Sequence, residues 1–134
     1  MLAQAAAGGP LRLGNTTPTR DLNFVTDSVA GIIACGTADG VEGEVFNLGS
    51  GREISVGDLA LHACKLADIP CHIESQEKRV RPTASEVDRL LAHSEKAASI
   101  LNWRPSVTLE EGLLQTMTWV RQQKPERWVK EFQL

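Results

Sequence analysis

Leu13-Gly14-Asn15-Thr16-Thr17-Pro18-Thr19-Arg20-Asp21-Leu22-Asn23-Phe24-Val25-Thr26-Asp27 carries the chain out of an extended segment, through a polar loop and into a helix. Just upstream, Leu11-Arg12-Leu13 alternates apolar and polar and is closed by Gly14-Asn15, which predicts a short strand and a turn followed by a loop through Thr19. Downstream, Thr26 or Asp27 can cap a helix whose Val29, Ile32 and Ile33 fall at i, i+3 and i+4, with Gly40 as terminator. That spacing predicts a buried face on this helix.

Outward from this stretch the pattern stays mixed. The opening Ala3 to Ala7 is helix-prone and stops at Gly8, Gly9 and Pro10. Glu44 to Leu48 reads as a strand, β-prone at Val45 and Phe46 and bounded by Gly43 and the Gly49-Ser50-Gly51 turn, and Ile54 marks a second extended piece. Ser55 caps a helix through Leu59, Ala63 and Leu66 to Asp68, which Pro70 terminates. Cys71 to Glu74 alternates like a strand. Ser94 starts a helix carrying Ala97, Ile100 and Leu101, closed by Trp103-Arg104-Pro105. Thr108 and Glu111 have capping-box spacing and open a last long helix with Leu109, Leu113, Met117 and Val120 on one stripe. Helices outnumber strands that are too short to form a sheet of their own, so the expected class is α+β in a single domain over residues 1–134, or one flank of a larger α/β protein whose sheet lies elsewhere.

Composition excludes several functions. With 42% hydrophobic and 23% charged residues the chain is expected to bury a real core. A net charge of -3, with both signs mixed along the chain, lacks the basic footprint of a nucleic-acid binder. No apolar run reaches the roughly 20 residues that span a bilayer, and Met1 to Pro10 lacks the basic and apolar parts of a secretion signal, so a cytoplasmic protein without membrane contact is expected. Cys35, Cys64 and Cys71 have no metal-ligand spacing and read as structural thiols. His62, His72 and His93 are scattered and read as surface residues, so no metal site is expected.

Four stretches in order carry a family resemblance. They are Leu13 to Asp27; Asn47-Leu48-Gly49-Ser50-Gly51-Arg52-Glu53-Ile54-Ser55; Arg79 to Leu91, with Arg81-Pro82 and Ser85-Glu86-Val87; and Lys96 to Pro105 before Leu109-Glu110-Glu111-Gly112-Leu113. Together they resemble the C-terminal, substrate-binding part of extended short-chain dehydrogenase/reductases that epimerise or dehydrate nucleotide sugars with NAD. Arg81-Pro82 followed by Ser85-Glu86-Val87 looks closest to 4,6-dehydratases, while 4-epimerases with an Arg-Pro-Gly-Asp-like variant stay open. The fold implied is the C-terminal portion of that family's fold, without the main Rossmann sheet.

The resemblance implies a nucleoside diphosphate sugar as ligand. Its pyrophosphate needs directed, bidentate cationic donors, which arginine supplies better than lysine. Arg20 and Arg81 match the family's phosphate-binding arginines, Leu11 and Leu13 match a strand edge along the nucleotide base, and Glu86 matches a position that helps hold the nucleotide in some dehydratases. The competing reading makes Arg20 with Asp21 a surface ion pair worth about 0–1 kcal/mol, and Arg81 one more solvated charge beside Lys78 and Arg79.

The chemistry of the full reaction is not encoded here. Hydride transfer needs a glycine-rich first βα turn for NAD, and Gly49 and Gly51 are followed by Arg52-Glu53-Ile54-Ser55 rather than by a third glycine and a helix. The family's acid/base is a tyrosine, and the sequence contains none. The expectation is therefore a non-catalytic, sugar-nucleotide-binding portion with no cofactor site or catalytic residue of its own, NAD being implied only for full-length relatives. Apolar surface normally packed against the missing half predicts a homodimer or association with a separate N-terminal half. The alternative is a stand-alone oligomerising or structural module that keeps the fold without the ligand.

Overall fold

The computed structural model describes residues 1–80, 82 and 86–123. In chain order its elements are α1 (Leu2–Ala6), β1 (Leu11–Leu13), β2 (Thr19–Asp21), α2 (Val25–Thr37), β3 (Glu53–Ser55), α3 (Val56–Ala67), β4 (Ile73–Ser75), a 3-10 turn at Glu77–Arg79, β5 (Arg89–Leu90), α4 (Glu95–Ile100) and α5 (Leu109–Gln122). The strands form a two-stranded sheet, β1-β4, and a three-stranded sheet, β3-β2-β5. This is an α+β arrangement with no large Rossmann sheet among the described residues, as the sequence implied. The chain divides into two compact units: Met1–Pro18, Ser55–Asp88 and the stretch from Leu113 on; and Thr19–Ile54 with Arg89–Gly112.

In the first unit, β1 and β4 run parallel in the register Leu11↔Ile73, Arg12↔Glu74, Leu13↔Ser75. α3 begins where Ser55 Oγ accepts from the Asp58 N–H at 2.9 Å, and it ends at Asp68, which takes a left-handed φ of +59° so that the Ile69 N–H reaches Cys64 O at 3.1 Å. Its inner face is small, with Ala60, Ala63 and Cys64 buried, so α1 and β1 approach closely through Ala5 and Leu11, and Met117 of α5 completes the cluster. Burial, with the neighbouring Cys71 thiol, pushes Cys64 up to about 11, which keeps it a neutral packing group at pH 7.

In the second unit, β2 and β5 are parallel, Thr19↔Arg89 and Arg20↔Leu90. α2 sits on Leu48 and Trp103 at Gly31, where an added Cβ would lie 2.6 Å from Leu48 Cδ1 and 3.1 Å from Trp103 Cε2. Asp27, only 4% exposed, ties the helix down. Its carboxylate accepts from Ser106 Oγ at 2.8 Å and from the Val107 N–H at 3.0 Å, and its carbonyl accepts from Trp103 Nε1 at 3.0 Å. Thr108 and Glu111 form the reciprocal capping box expected at the start of α5, with the Thr108 N–H donating to Glu111 Oε2 at 2.9 Å and the Glu111 N–H to Thr108 Oγ1 at 3.2 Å.

Several elements differ from expectation. The loop expected through Thr19 gives way at that residue to strand β2, Thr19–Asp21, which is made by its pairing with β3 and β5. α2 starts after Phe24 with no side-chain cap, Asp27 being used as a buried anchor instead, and it ends at Thr37, short of Gly40, where Ala38 turns to an extended conformation. Its Val29, Ile32 and Ile33 are exposed rather than buried. Glu44 to Leu48 joins no ladder among the described residues. Ser94 Oγ donates to Gly49 O at 3.0 Å instead of capping α4. Cys71 is exposed, and His62 is half-buried while His72 and His93 are at the surface.

Candidate functional site

The sequence-predicted residues fall in both units. Leu11, Leu13 and Glu86 belong to the first and Arg20 to the second, while Arg81 lies outside the described residues, as does Ser85.

In the first unit Leu11 is fully buried, so its side chain is a core group, and Leu13 packs partly buried against the same cluster. The backbone around them is fixed: the Leu11 N–H donates to His72 O at 2.9 Å and Leu13 O accepts from the Gln76 N–H at 2.8 Å. Beyond the strand, Gly14 meets the 3-10 turn, where an added Cβ would clash with the Arg79 carbonyl oxygen and lie 2.7 Å from its carbon. Only glycine fits there, and the contact seats the start of the segment leading to Arg81 beside the end of β1. The turn is braced internally, Arg79 Nε donating to Gln76 Oε1 at 2.7 Å. Glu86 is half-buried and its N–H donates to Pro82 O at 3.1 Å. Arg12 Nε, on the opposite face of β1, pairs with Glu74 Oε2 at 3.3 Å.

The start of α3 offers no open anion site. The Val56 and Gly57 N–H groups donate to Pro18 O at 3.0 Å and Thr16 O at 2.9 Å, and the Asp58 N–H is taken by the Ser55 cap. Those bonds lash the Asn15–Pro18 loop to the helix.

In the second unit Arg20 is half-buried on β2, with Nη1 donating to Thr19 O at 2.7 Å. Its neighbour Asp21 has a role the sequence reading missed. Its carboxylate accepts from the Ser50 N–H at 2.9 Å, the Gly51 N–H at 2.9 Å and the Ala92 N–H at 3.3 Å, and from Ser50 Oγ. The Gly49–Gly51 turn is thus an anion cradle already filled by the protein's own carboxylate, and an added Cβ at Gly49 would lie 2.7 Å from Asp21 Oδ2. The signal for this in the sequence is the Gly49-Ser50-Gly51 turn together with the acid at Asp21, which the ion-pair reading assigns to Arg20. Beside it, Glu53 accepts from Arg89 Nε at 2.8 Å and Thr19 Oγ1 at 2.7 Å, and these donors, Arg89 foremost, hold its carboxyl below the usual range.

The filled turn does not fit a dinucleotide pyrophosphate, and no other glycine-rich turn opens a helix among the described residues. No group of three or more potential metal ligands occurs among them either.

The family described as GDP-mannose 4,6 dehydratase matches residues 1–116. The chain belongs to this family. It is 30% identical to a dTDP-glucose 4,6-dehydratase of Xanthomonas campestris over 126 residues, covering 89% of this chain and 36% of that protein. An epimerase of Methanothermobacter thermautotrophicus superposes with a TM-score of 0.81 at 30% identity, over 98% of this chain and 38% of that one. A UDP-glucose 4-epimerase of Thermotoga maritima, solved with UDP-glucose, gives 0.76 at 26% identity over 91% of this chain and 38% of that one. The chain therefore resembles the C-terminal, substrate-binding part of the family and spans little more than a third of each of these relatives. These relatives include both a dehydratase and epimerases.

Proposed function

We propose that the chain is the nucleoside diphosphate sugar-binding portion of an NAD-dependent epimerase or dehydratase, residues 1–134 acting as one functional portion in the cytoplasm. The family match over residues 1–116 carries this reading. Arg20 and Arg81 supply directed positive charge to the pyrophosphate. The β1 edge at Leu11 and Leu13 runs along the base, with the Leu11 side chain in the core rather than against it, and Glu86 accepts from the nucleotide. Gly14 supports this reading by seating the segment that leads to Arg81 beside β1. NAD belongs to the remaining part of the full-length relatives, since the sequence contains no tyrosine and no open glycine-rich turn stands among the described residues. The partners are the sugar nucleotide and either a second copy or an N-terminal half.

The test is the melting temperature with NAD, UDP-sugar, dTDP-sugar and GDP-sugar, because a ligand that binds only the folded state stabilises it, by about 2.7 kcal/mol at a hundredfold excess over Kd. A rise with one sugar nucleotide, absent with NAD and lost in Arg20→Ala or Arg81→Ala, is expected. No rise with any sugar nucleotide would sink the binding reading and leave a structural module.

A further inference from the structure

Two of the three cysteines are brought together at the end of α3. Cys64 lies in the last turn of that helix, 2% exposed, in the core cluster that also holds Leu11. The chain then reverses. Asp68 takes its left-handed φ of +59°, and the Asp68 and Ile69 N–H groups donate to Lys65 O at 3.2 Å and Cys64 O at 3.1 Å. The reversal delivers the next segment to β1, where His72 O accepts from the Leu11 N–H at 2.9 Å and Ile73 pairs with Leu11. Leu11 is thus a shared neighbour: its side chain packs in the cluster of Cys64, and its N–H holds the residue next to Cys71. Across this reversal the two thiols meet side chain to side chain.

The pair is asymmetric. Cys71 is exposed, so a solute in water reaches it, whereas Cys64 is sealed. Burial, with Cys71 beside it, pushes the Cys64 thiol up to about 11, so at pH 7 it stays protonated and inert towards solutes. Only a sulfur delivered by Cys71 comes within its reach. An exposed thiol that reacts first, with a second thiol in contact behind it, is the arrangement that resolves a mixed disulfide. Cys35 stands on α2 in the other unit and provides an internal control.

We propose that Cys71 and Cys64 form a reversible thiol–disulfide modification site whose co-reactant is a low-molecular-weight disulfide such as oxidised glutathione. The Cys71 thiolate attacks one sulfur of the incoming disulfide, whose S–S bond breaks. One glutathione leaves as a thiol, and Cys71 carries the other as a mixed disulfide. Cys64 then gives its proton to solvent and attacks Cys71 Sγ. The mixed S–S bond breaks, and the second glutathione leaves as a thiolate that takes up a proton. Two protein thiols are oxidised to one disulfide while one glutathione disulfide is reduced to two thiols. The bond ties the end of α3 to the segment entering β4. In a compartment that keeps thiols reduced, such a bond is transient and follows the redox state rather than holding the fold. The site uses none of the residues proposed to hold the sugar nucleotide, and it stands whether or not that binding is found.

The experiment is equilibration of the full chain with oxidised glutathione, followed by alkylation of free thiols, trypsin digestion and mass spectrometry without reductant. Trypsin cuts after Lys65, between the two cysteines, so the peptides Glu53–Lys65 and Leu66–Lys78 should appear as one linked species that dithiothreitol separates, with Cys35 outside the link. Cys64→Ala should stop at a lasting glutathione adduct on Cys71. Cys71→Ser should slow oxidation of Cys64 by about tenfold or more, since the buried thiol then has no sulfur delivered to it. A lasting adduct on Cys71 in the unaltered chain, a bond from Cys71 to Cys35 or to a second copy, or undiminished oxidation of Cys64 in Cys71→Ser would each overturn the proposal. If Cys64→Ala fails to fold, the linked peptide and the Cys71→Ser comparison decide it.

Discussion

The first unit buries alanines, a leucine, a cysteine and a methionine, whereas the second buries Ala97 and Trp103 together with the carboxylate of Asp27, which accepts from the Val107 N–H and Ser106 Oγ, and half-buries that of Asp21, which accepts from the Ser50, Gly51 and Ala92 N–H groups. Small side chains on α3 let the first unit close on its own apolar surface. The second spends its acids on tying loops to helices and strands, and leaves its most apolar helix face outside. The difference teaches that two parts of one chain can be held by different forces. Hydrophobic contact is non-directional and needs area, while a buried carboxylate needs few neighbours but correctly aimed donors.

The largest effect that sharpens this contrast is expected from Met117→Ala, which removes a fully buried side chain of the first unit. It should cost about 2–5 kcal/mol by denaturant unfolding, with amide protection falling in α3. Comparable loss of protection confined to α2 would break the comparison.

Asp27→Ala should cost the second unit about 1.5–3 kcal/mol, the usual worth of hydrogen bonds to a charged group, with protection lost in α2 and around Trp103. The same residue gives a pH signature. Burial works against its charged form, but the donors from Val107 and Ser106 outweigh it and hold the carboxyl below its ordinary value of 3.8. A depressed folded value means the stabilisation is complete above about that pH and is lost as pH falls through the folded value. Amide exchange between pH 6 and 2 should therefore show α2 opening in acid with a component absent from Asp27→Asn; an identical acid profile in that variant would remove Asp27 as the cause.

Gly14→Ala should cost about 1–3 kcal/mol and loosen Gln76–Val80, because the new Cβ collides with the Arg79 carbonyl rather than with a flexible side chain. If exchange rates in that turn stay unchanged, the close approach is not what seats it. The smallest effect is Ser55→Ala, which removes the α3 cap and should cost about 1 kcal/mol while leaving the second unit untouched.

Much was legible in the residues. Ser55, the Thr108/Glu111 box, the Leu11–Leu13 alternation and the breaks at Gly8 and Pro70 announce local structure, because caps, strand alternation and proline restrictions act within a few residues. The family resemblance singled out Arg20, Arg81 and Glu86 as the proposed ligand groups, which no periodicity would have pointed to.

What the sequence determined by itself is therefore the set of helices, the caps of α3 and α5, and the α+β class. Only the tertiary structure decided that Asp27 is an anchor and not a cap, that Asp21 fills the Gly49–Gly51 turn, that Thr19–Asp21 is a strand, and that the apolar face of α2 stays outside. Each of these depends on groups brought from distant positions, Trp103, Ser106, Ala92 or Arg89, and a pattern read along the chain carries the need for a partner but not its identity.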